Sequence, residues 1–375
     1  GWTDEDDGTF FMCYEDLISY FSRVQICRLN DNYRYSFFKA RHKLGSFALI
    51  RFVVNAPGGH HYLTINQTDE RCFDRAANYD YSNVRLIVAR IENPEDDEKV
   101  LTYKNGKMGQ DRDTWEEYEN LEPGEYYMFV EFDWPDNVQH TEFCVSCYGE
   151  AQTYFLRDEK SLFNKEALLT QLMASCAEQE LAEGKKTVFA EQGAAGITKY
   201  FAMTEEGYGY VHIVNDEAEA KYREMINYTK FDKLSLLKPF KGTSYEVEVG
   251  PKSKRTVVIR QDDPTGFNMA SQIRISAVLH GPEMLKNLCV TKGKETQRLH
   301  PKTKQPLEIY QYQYKHQAVI AYFYMNNEER LTLQEKLQFQ LQGLTIEGNE
   351  EGNNIVDFKI GPGQTKFVEL KAIGG

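Results

Sequence analysis

Two stretches of this sequence match each other without a gap at an offset of 111 residues, and no other feature limits the fold as much. Tyr245–Pro251 (YEVEVGP) matches Val356–Pro362 (VDFKIGP), and Arg255–Arg260 matches Lys366–Lys371. At the same offset Val214–Glu217 meets Met325–Glu328, each after an aromatic, alternating run. Leu234–Leu237 matches Leu341–Leu344 only with a shift, which implies a loop-length change. Alternation places successive side chains on opposite faces of a strand. Each copy therefore reads as strand, polar turn, strand, turn, strand, Gly-Pro turn, strand. A solenoid normally needs three or more stacked units. Two copies predict two related small β-sandwiches instead, over residues 196–280 and 317–375. Between them, 281–316 reads as a linker whose Lys292–Lys304 stretch is an exposed loop.

A chain of 375 residues is too long for one ordinary core. Its 24 Tyr and 22 Phe favour strands, as aromatic residues do. Ser46–Val54 reads as a buried strand stopped by Pro57-Gly58-Gly59. His61–Asn66, Val84–Ile91, Tyr126–Phe132 and Glu142–Tyr148 follow at sandwich-like intervals over 35–150. Leu168, Leu169, Leu172, Met173, Cys176 and Leu181 carry helical spacing within Ser161–Glu183, which Gly184 can end. Residues 151–195 are therefore expected to be a helical connector. The fold class is mainly β.

Several function classes are disfavoured by composition. A net charge of −13 opposes sequence-independent nucleic-acid binding, which rests on Lys and Arg neutralising phosphates. No apolar run reaches membrane-spanning length, and the first residues lack a signal peptide's basic and apolar regions. Seven scattered cysteines do not look like a disulfide framework, so a reducing, cytoplasmic setting is expected. Gly1 in place of Met suggests processing, an expression design or an excerpt of a longer polypeptide.

The first 29 residues add a more specific signal. Asp6-Asp7-Gly8-Thr9-Phe10-Phe11-Met12, with Asp16 four positions on, forms an acidic turn entering an aromatic strand. Tyr14-Glu15-Asp16-Leu17 then opens a short helix ending near Ile26-Cys27. This string resembles the segment that closes the protease core of calpain-family cysteine peptidases. Leu121-Glu122-Pro123-Gly124-Glu125-Tyr126 and Phe143-Cys144-Val145 resemble elements of the β-sandwich that follows that core, so the resemblance spans roughly residues 1–150. It implies that 1–34 is the end of a papain-like α/β core and 35–150 a calpain-type sandwich. In the family the catalytic Cys, His and Asn lie upstream of the closing segment. No Gly-His-Ala, Asn-Pro-Trp or Cys-Trp motif of that kind occurs here.

Candidate chemistry is sparse. Cys144-Val145-Ser146-Cys147 has a C-x-x-C spacing, but residues three apart on a strand face opposite ways, so packing is favoured over metal or redox work. His60-His61 diverges for the same reason. Glu95, Asp96, Asp97 and Glu98, with Asp111 and Asp113, fall in loops that could offer oxygens to calcium, against a plain solvated acidic rim. The resemblance also implies an acidic sandwich loop that couples calcium to the core. No EF-hand is present. Lys292, Lys294, Arg298, Lys302 and Lys304 could meet an acidic protein surface or a phosphoinositide.

The expected function is a non-catalytic regulatory, scaffolding or interaction module of a calpain-like protein, with protein partners that include an upstream protease core. No cofactor is required, and calcium is optional. Two alternatives stand beside it. One is the C-terminal part of a calcium-dependent cysteine endopeptidase whose catalytic residues lie upstream. The other is a structural component of a cytoskeletal or ciliary assembly. Residues 1–29 carry too few apolar side chains for a core and are expected to dock on the sandwich or on an upstream domain.

Overall fold

The computed structural model describes residues 11–22, 29–74, 76, 79–135, 141–184, 196–279, 294–295, 309–316, 319–326, 332–342, 344–346, 354–362 and 365–372. The chain is mainly β, with two α-helices among the described residues and every strand pairing antiparallel. Helix α1 (Tyr14–Tyr20) comes first and buries no residue. Phe11, Tyr14, Ile18, Tyr20, Phe21 and Leu29 are exposed around it. The expected docking of this segment on the sandwich is not found among the described residues. Its predicted end near Cys27 is also late, since α1 stops at Tyr20 and residues 23–28 lie outside the described ones.

Nine strands follow: β1 (Arg34–Arg41), β2 (Ala48–Val54), β3 (Gly59–Asn66), β4 (Val84–Ile91), β5 (Leu101–Gly109), β6 (Asp113–Leu121), β7 (Gly124–Phe132), β8 (Glu142–Gly149) and β9 (Thr153–Asp158). They form two sheets, in the orders β1-β8-β3-β6 and β5-β4-β7-β2-β9. A core cluster drawn from both sheets lies between them, with Ile50, Phe52, Leu63, Ile65, Leu86, Met128 and Val145 fully buried. The second sheet extends past residue 150, because β9 pairs with β2 at its edge.

Strands β4 and β7 are buried along nearly their whole length rather than on alternate residues. A continuous apolar run means that both faces are covered. The inner face meets the first core cluster. The outer face, through Leu49, Ile87, Ala89, Tyr127 and Phe129, meets helix α2 (Lys165–Ala182). The Asn164 side chain caps α2 by accepting from the Ala167 N–H at 3.0 Å. Leu168, Leu169, Leu172, Met173, Cys176 and Ala177 are buried on α2. Tyr208, Tyr210 and Val258 close the same cluster from the other side. Within the expected connector, the described residues 151–184 supply a sheet edge and a helix that fills a shared core.

The repeat follows. Its first copy contains β10 (Ile197–Met203), β11 (Tyr208–Asn215), β12 (Lys221–Asp232), β13 (Leu234–Leu236), β14 (Ser244–Val249), β15 (Ser253–Gln261) and β16 (Asn268–Leu279). The later strands are β17 (Lys294–Glu295), β18 (Ile309–His316), β19 (Val319–Asn326), β20 (Leu333–Gln338), β21 (Leu344–Ile346), β22 (Ile355–Ile360) and β23 (Thr365–Ala372). The sheet β10-β11-β15-β13 has its counterpart in β18-β19-β23-β21, to which β17 adds an edge.

Register carries the match to single residues. Tyr222↔Val249 through Asn227↔Ser244 recurs as Leu333↔Ile360 through Gln338↔Ile355. Gly209↔Ile259 recurs as Ile320↔Leu370, and Val214↔Lys254 as Met325↔Thr365. One detail of the sequence alignment is corrected. Leu234 pairs with Gln261 and Leu344 with Ala372, so the counterpart of Leu234 is Leu344, not Leu341. The loop before it differs by one residue.

Candidate functional site

The outer face of the sheet β1-β8-β3-β6 carries an aromatic surface. Tyr35 and Phe37 are neighbours on one face of β1, 61% and 63% exposed, with ring centroids 6.0 Å apart. Opposite them on β8 stand Tyr148 and Ser146. The rings continue across the sheet: Tyr33 lies 5.0 Å from Tyr148 and 5.8 Å from His60, His60 lies 4.8 Å from Tyr62, and Tyr62 lies 6.2 Å from Trp115. The Lys107 ammonium sits 5.1 Å from the Trp115 ring centre.

A polar chain ties this surface together. The Tyr33 hydroxyl meets His60 Nδ1 at 2.5 Å, and His60 Nε2 meets Glu117 Oε1 at 2.9 Å. The Tyr62 hydroxyl donates to the same carboxylate oxygen at 2.7 Å, and the His60 N–H donates to Glu150 Oε2 at 2.9 Å. A Tyr-His-Glu chain has the parts of a proton relay. Both ring nitrogens are engaged within the chain, so its local effect is to hold the aromatic rings in place. His61 points the other way: fully buried, it meets the carbonyls of Gly59 at 2.8 Å and Ala151 at 3.1 Å. The two histidines diverge as strand alternation requires.

The cysteine pair separates in the same manner. Cys147 enters the first core and meets Thr153 Oγ1 at 3.3 Å, and burial pushes its thiol up to about 12. Cys144 lies half-buried on the outer side, and burial raises its thiol too. Nucleophilic or metal-binding cysteine needs the thiolate. These environments oppose it.

The acidic residues are not brought together. Glu95–Glu98 precede β5 and Asp111 with Asp113 follow it, so the two groups sit at opposite ends of a strand. Its nine residues span roughly 30 Å at about 3.3 Å each. Each group also holds a cation, the first through backbone carbonyls and the second through carboxylates. The Lys99 ammonium donates to the carbonyls of Pro94, at 2.6 Å, and of Asp96. Arg112 binds Asp113 at 2.6 Å and Asp69 at 3.0 Å. Among the described residues, no group of three or more His, Cys, Asp or Glu side chains is placed to hold a metal. A cavity of about 320 Å³ opens beside Asp97 and Glu98, floored by Tyr127, Phe163 and Leu168. Of the basic loop, Lys294 lies on β17 opposite Gln311. Lys292, Arg298, Lys302 and Lys304 lie outside the described residues.

Sequence reasoning missed a buried polar junction between the sheet β5-β4-β7-β2-β9 and the repeat. Arg85 on β4, fully buried, donates to Asp133 Oδ2 at 2.7 Å and to the Gln261 carbonyl at 2.5 Å. Glu131 on β7 takes Lys165 from α2 and the Tyr208 hydroxyl from β11, and Arg260 on β15 pairs with Asp133. Burial works against the Glu131 charge, yet Lys165 and Arg260 outweigh it and hold that carboxyl below its usual range. One carboxyl here is uncompensated. Glu206, in the turn between β10 and β11, is fully buried; the Tyr103 hydroxyl donates to Oε2 at 3.1 Å, the Thr204 hydroxyl and the residue's own N–H favour its charge, and Oε1 has no hydrogen bond. Burial pushes it up to about 7. The signal was present in the sequence: Arg85 and Glu131 each interrupt an apolar run, and a buried charge needs a partner.

No protein-family description matches this chain, and no curated protein matches it. Among solved structures, vicilin from Capsicum annuum is 9% identical, with a TM-score of 0.15, over 70% of this chain and 82% of that one. A deletion mutant of Bacillus subtilis oxalate decarboxylase is likewise 9% identical, with a TM-score of 0.15, over 63% of this chain and 70% of that one. Likeness at that level carries no argument about fold or function.

Proposed function

We propose that this chain is a non-catalytic regulatory or scaffolding module of a calpain-like protein, a set of tandem β-sandwiches behind the closing piece of a papain-like core. The observation that carries the reading is the aromatic surface of Tyr35, Phe37 and Trp115, exposed on the side where Leu29 and Asn30 lead in from the uncovered apolar segment around α1. Large contiguous apolar surface marks an interaction site. In the calpain-like reading its partner is the protease core. The buried junction supports a scaffolding role, because Glu131 on the sheet β5-β4-β7-β2-β9 takes Lys165 from α2 and both Tyr208 and Arg260 from the first repeat. Free cysteines at Cys13, Cys72, Cys144, Cys147 and Cys176 fit a reducing, cytoplasmic setting. Calcium remains an optional ligand of the acidic loops.

The test uses two measurements on the purified chain. Casein hydrolysis should be absent, and a separately produced calpain-type protease core should slow amide exchange in residues 11–21 and in β1. Thiol-inhibitor-sensitive hydrolysis that is lost on replacing one cysteine of this chain would overturn the non-catalytic assignment. A core that binds without protecting these segments would overturn the surface.

A further inference from the structure

The first copy of the repeat encloses a lysine and a glutamate in its apolar interior. Lys199 lies on β10, at the edge of the sheet β10-β11-β15-β13, and Glu224 lies on β12 in the sheet β14-β12-β16. The Lys199 ammonium donates to both oxygens of the Glu224 carboxylate, to Oε1 at 2.5 Å. Two tyrosines reach the same group, one on each oxygen. The Tyr245 hydroxyl donates to Oε1 at 2.7 Å and the Tyr222 hydroxyl to Oε2 at 2.8 Å. Ile213 stands opposite Lys199 in its ladder and Val247 opposite Glu224. Both belong, with the two tyrosines, to a buried cluster drawn from the two sheets.

Burial decides what this pair can do. Its side chains are 9% and 0% exposed, against 22% and 3% for Lys165 with Glu131 at the junction. Charge removed from water is penalised, which brings an uncharged amine and acid within reach of the ion pair. An uncharged lysine amine is a nucleophile. Held against a carboxyl carbon, it acts at an effective concentration of up to about 10⁵–10⁸ M, an advantage that free amines and acids in water lack. The last torsion of a glutamate is soft, so the carboxyl can turn its face toward Nζ without moving either strand.

We propose that Lys199 and Glu224 condense into an amide that joins the two sheets of the first copy covalently. One ammonium proton passes to Oε2, leaving a neutral amine and a carboxylic acid. The nitrogen lone pair attacks Cδ, the Nζ–Cδ bond forms, and the carbonyl electron pair moves onto Oε1. There the Tyr245 hydroxyl stabilises it, as a positioned donor stabilises an oxyanion. A second nitrogen proton passes to the hydroxyl at Oε2, the Cδ–Oε2 bond breaks, the carbonyl re-forms and water leaves. The Tyr222 hydroxyl donates to the departing oxygen. No oxidant, cofactor or second substrate enters the balance. The amide fixes β10, which pairs on one side only, to a strand of the other sheet. At the positions of Lys199, Tyr222 and Tyr245 the second copy has Gln311, Leu333 and Val356, so its sequence does not repeat the set.

The test is the mass of the full 375-residue chain, purified and then denatured. It should be lighter than the sequence by one water, and a digest should yield a branched peptide that carries both Lys199 and Glu224. Cyclisation at Asp7-Gly8 also loses water, but hydroxylamine opens that ring and leaves the amide intact. Lys199→Met should restore the full mass. Tyr222→Phe combined with Tyr245→Phe should leave freshly made protein largely at full mass, with amide exchange in β11 and β15 showing that the variant is folded. Full sequence mass in the wild type would overturn the proposal. So would a lost water that maps to other residues or survives Lys199→Met. Immediate, complete condensation in the folded double tyrosine variant would overturn the roles given to the hydroxyls.

Discussion

Glu206→Gln should change the pH dependence of stability by a calculable amount. The wild-type carboxyl titrates near 7 in the fold against 4.5 unperturbed, with burial as the main cause and the Glu180 charge adding to it. The Thr204 hydroxyl, the Tyr103 hydroxyl and the residue's own N–H oppose that shift. Between 4.5 and 7 the folded chain therefore holds a proton that the unfolded chain has released, so stability falls as pH rises through this window. Each unit of pKa difference is about 1.4 kcal/mol, and nearly complete burial calls for no solvent discount. The loss between pH 5 and 8.5 is roughly 2–3 kcal/mol. A glutamine stays neutral throughout and cannot show it. The cost of burying an amide in its place is the same at both pH values, so it cancels when the variant's stability difference at pH 8.5 is compared with that at pH 5. Urea unfolding supplies both numbers. A local readout is exchange at the Met108 N–H, which donates to the Glu205 carbonyl at 3.1 Å across the same junction. In the wild type this exchange should accelerate above pH 7 beyond its intrinsic rise, and in the variant it should not. Parallel pH profiles for the two proteins would refute a buried, uncompensated carboxyl at this position.

Leu172→Ala removes a fully buried side chain from the cluster that α2 shares with both of its neighbours, and it should cost about 2–5 kcal/mol in urea unfolding; a loss below about 1 kcal/mol would show that α2 is not integral to that core. His42 is buried with Nε2 accepting from the Phe132 N–H at 3.1 Å, and burial lowers its pKa. Folding therefore excludes a proton, and stability should fall as pH drops below the unfolded value of about 6.5. His42→Gln should remove that acid-side slope, and an unchanged slope between pH 5 and 7 would sink the assignment. His42 and Glu206 act in opposite directions across overlapping windows, so each is visible only against its own variant.

The repeat was legible because it rests on local patterning. β14 alternates exposed and buried residues along its length, and alternation survives in sequence wherever a strand has one wet face. The same logic separated Cys144 from Cys147 and His60 from His61. What stayed hidden required knowing what lies on a second face. The buried residues of α2 suggest a helix with one apolar side, yet Leu168 and Leu169, or Cys176 and Ala177, are adjacent and cannot share a single narrow stripe. The helix is covered from two directions. The surroundings of the acidic loops were hidden for a different reason. Composition shows carboxylates but not their neighbours, and it gives no hint that the Lys99 ammonium takes the Pro94 and Asp96 carbonyls.

The two copies keep the same ladder but differ in sequence at the positions through which the first touches the rest of the chain. The first copy turns Tyr208, Tyr210 and Val258 toward α2, and Arg260 toward the Glu131–Asp133 pair, so one of its sheets is committed to the rest of the chain. Its opposite sheet is closed by β16, and its internal acid is neutralised by Lys199. At the register positions of Tyr208, Tyr210 and Arg260 the second copy has Val319, Ala321 and Lys371, which replace the two tyrosines with small aliphatic residues. A sheet with that composition has lost the hydroxyls that met Glu131 and Glu180 in the first copy. The first copy is thus bound inward by side chains that the second copy's sequence does not repeat at the matching positions.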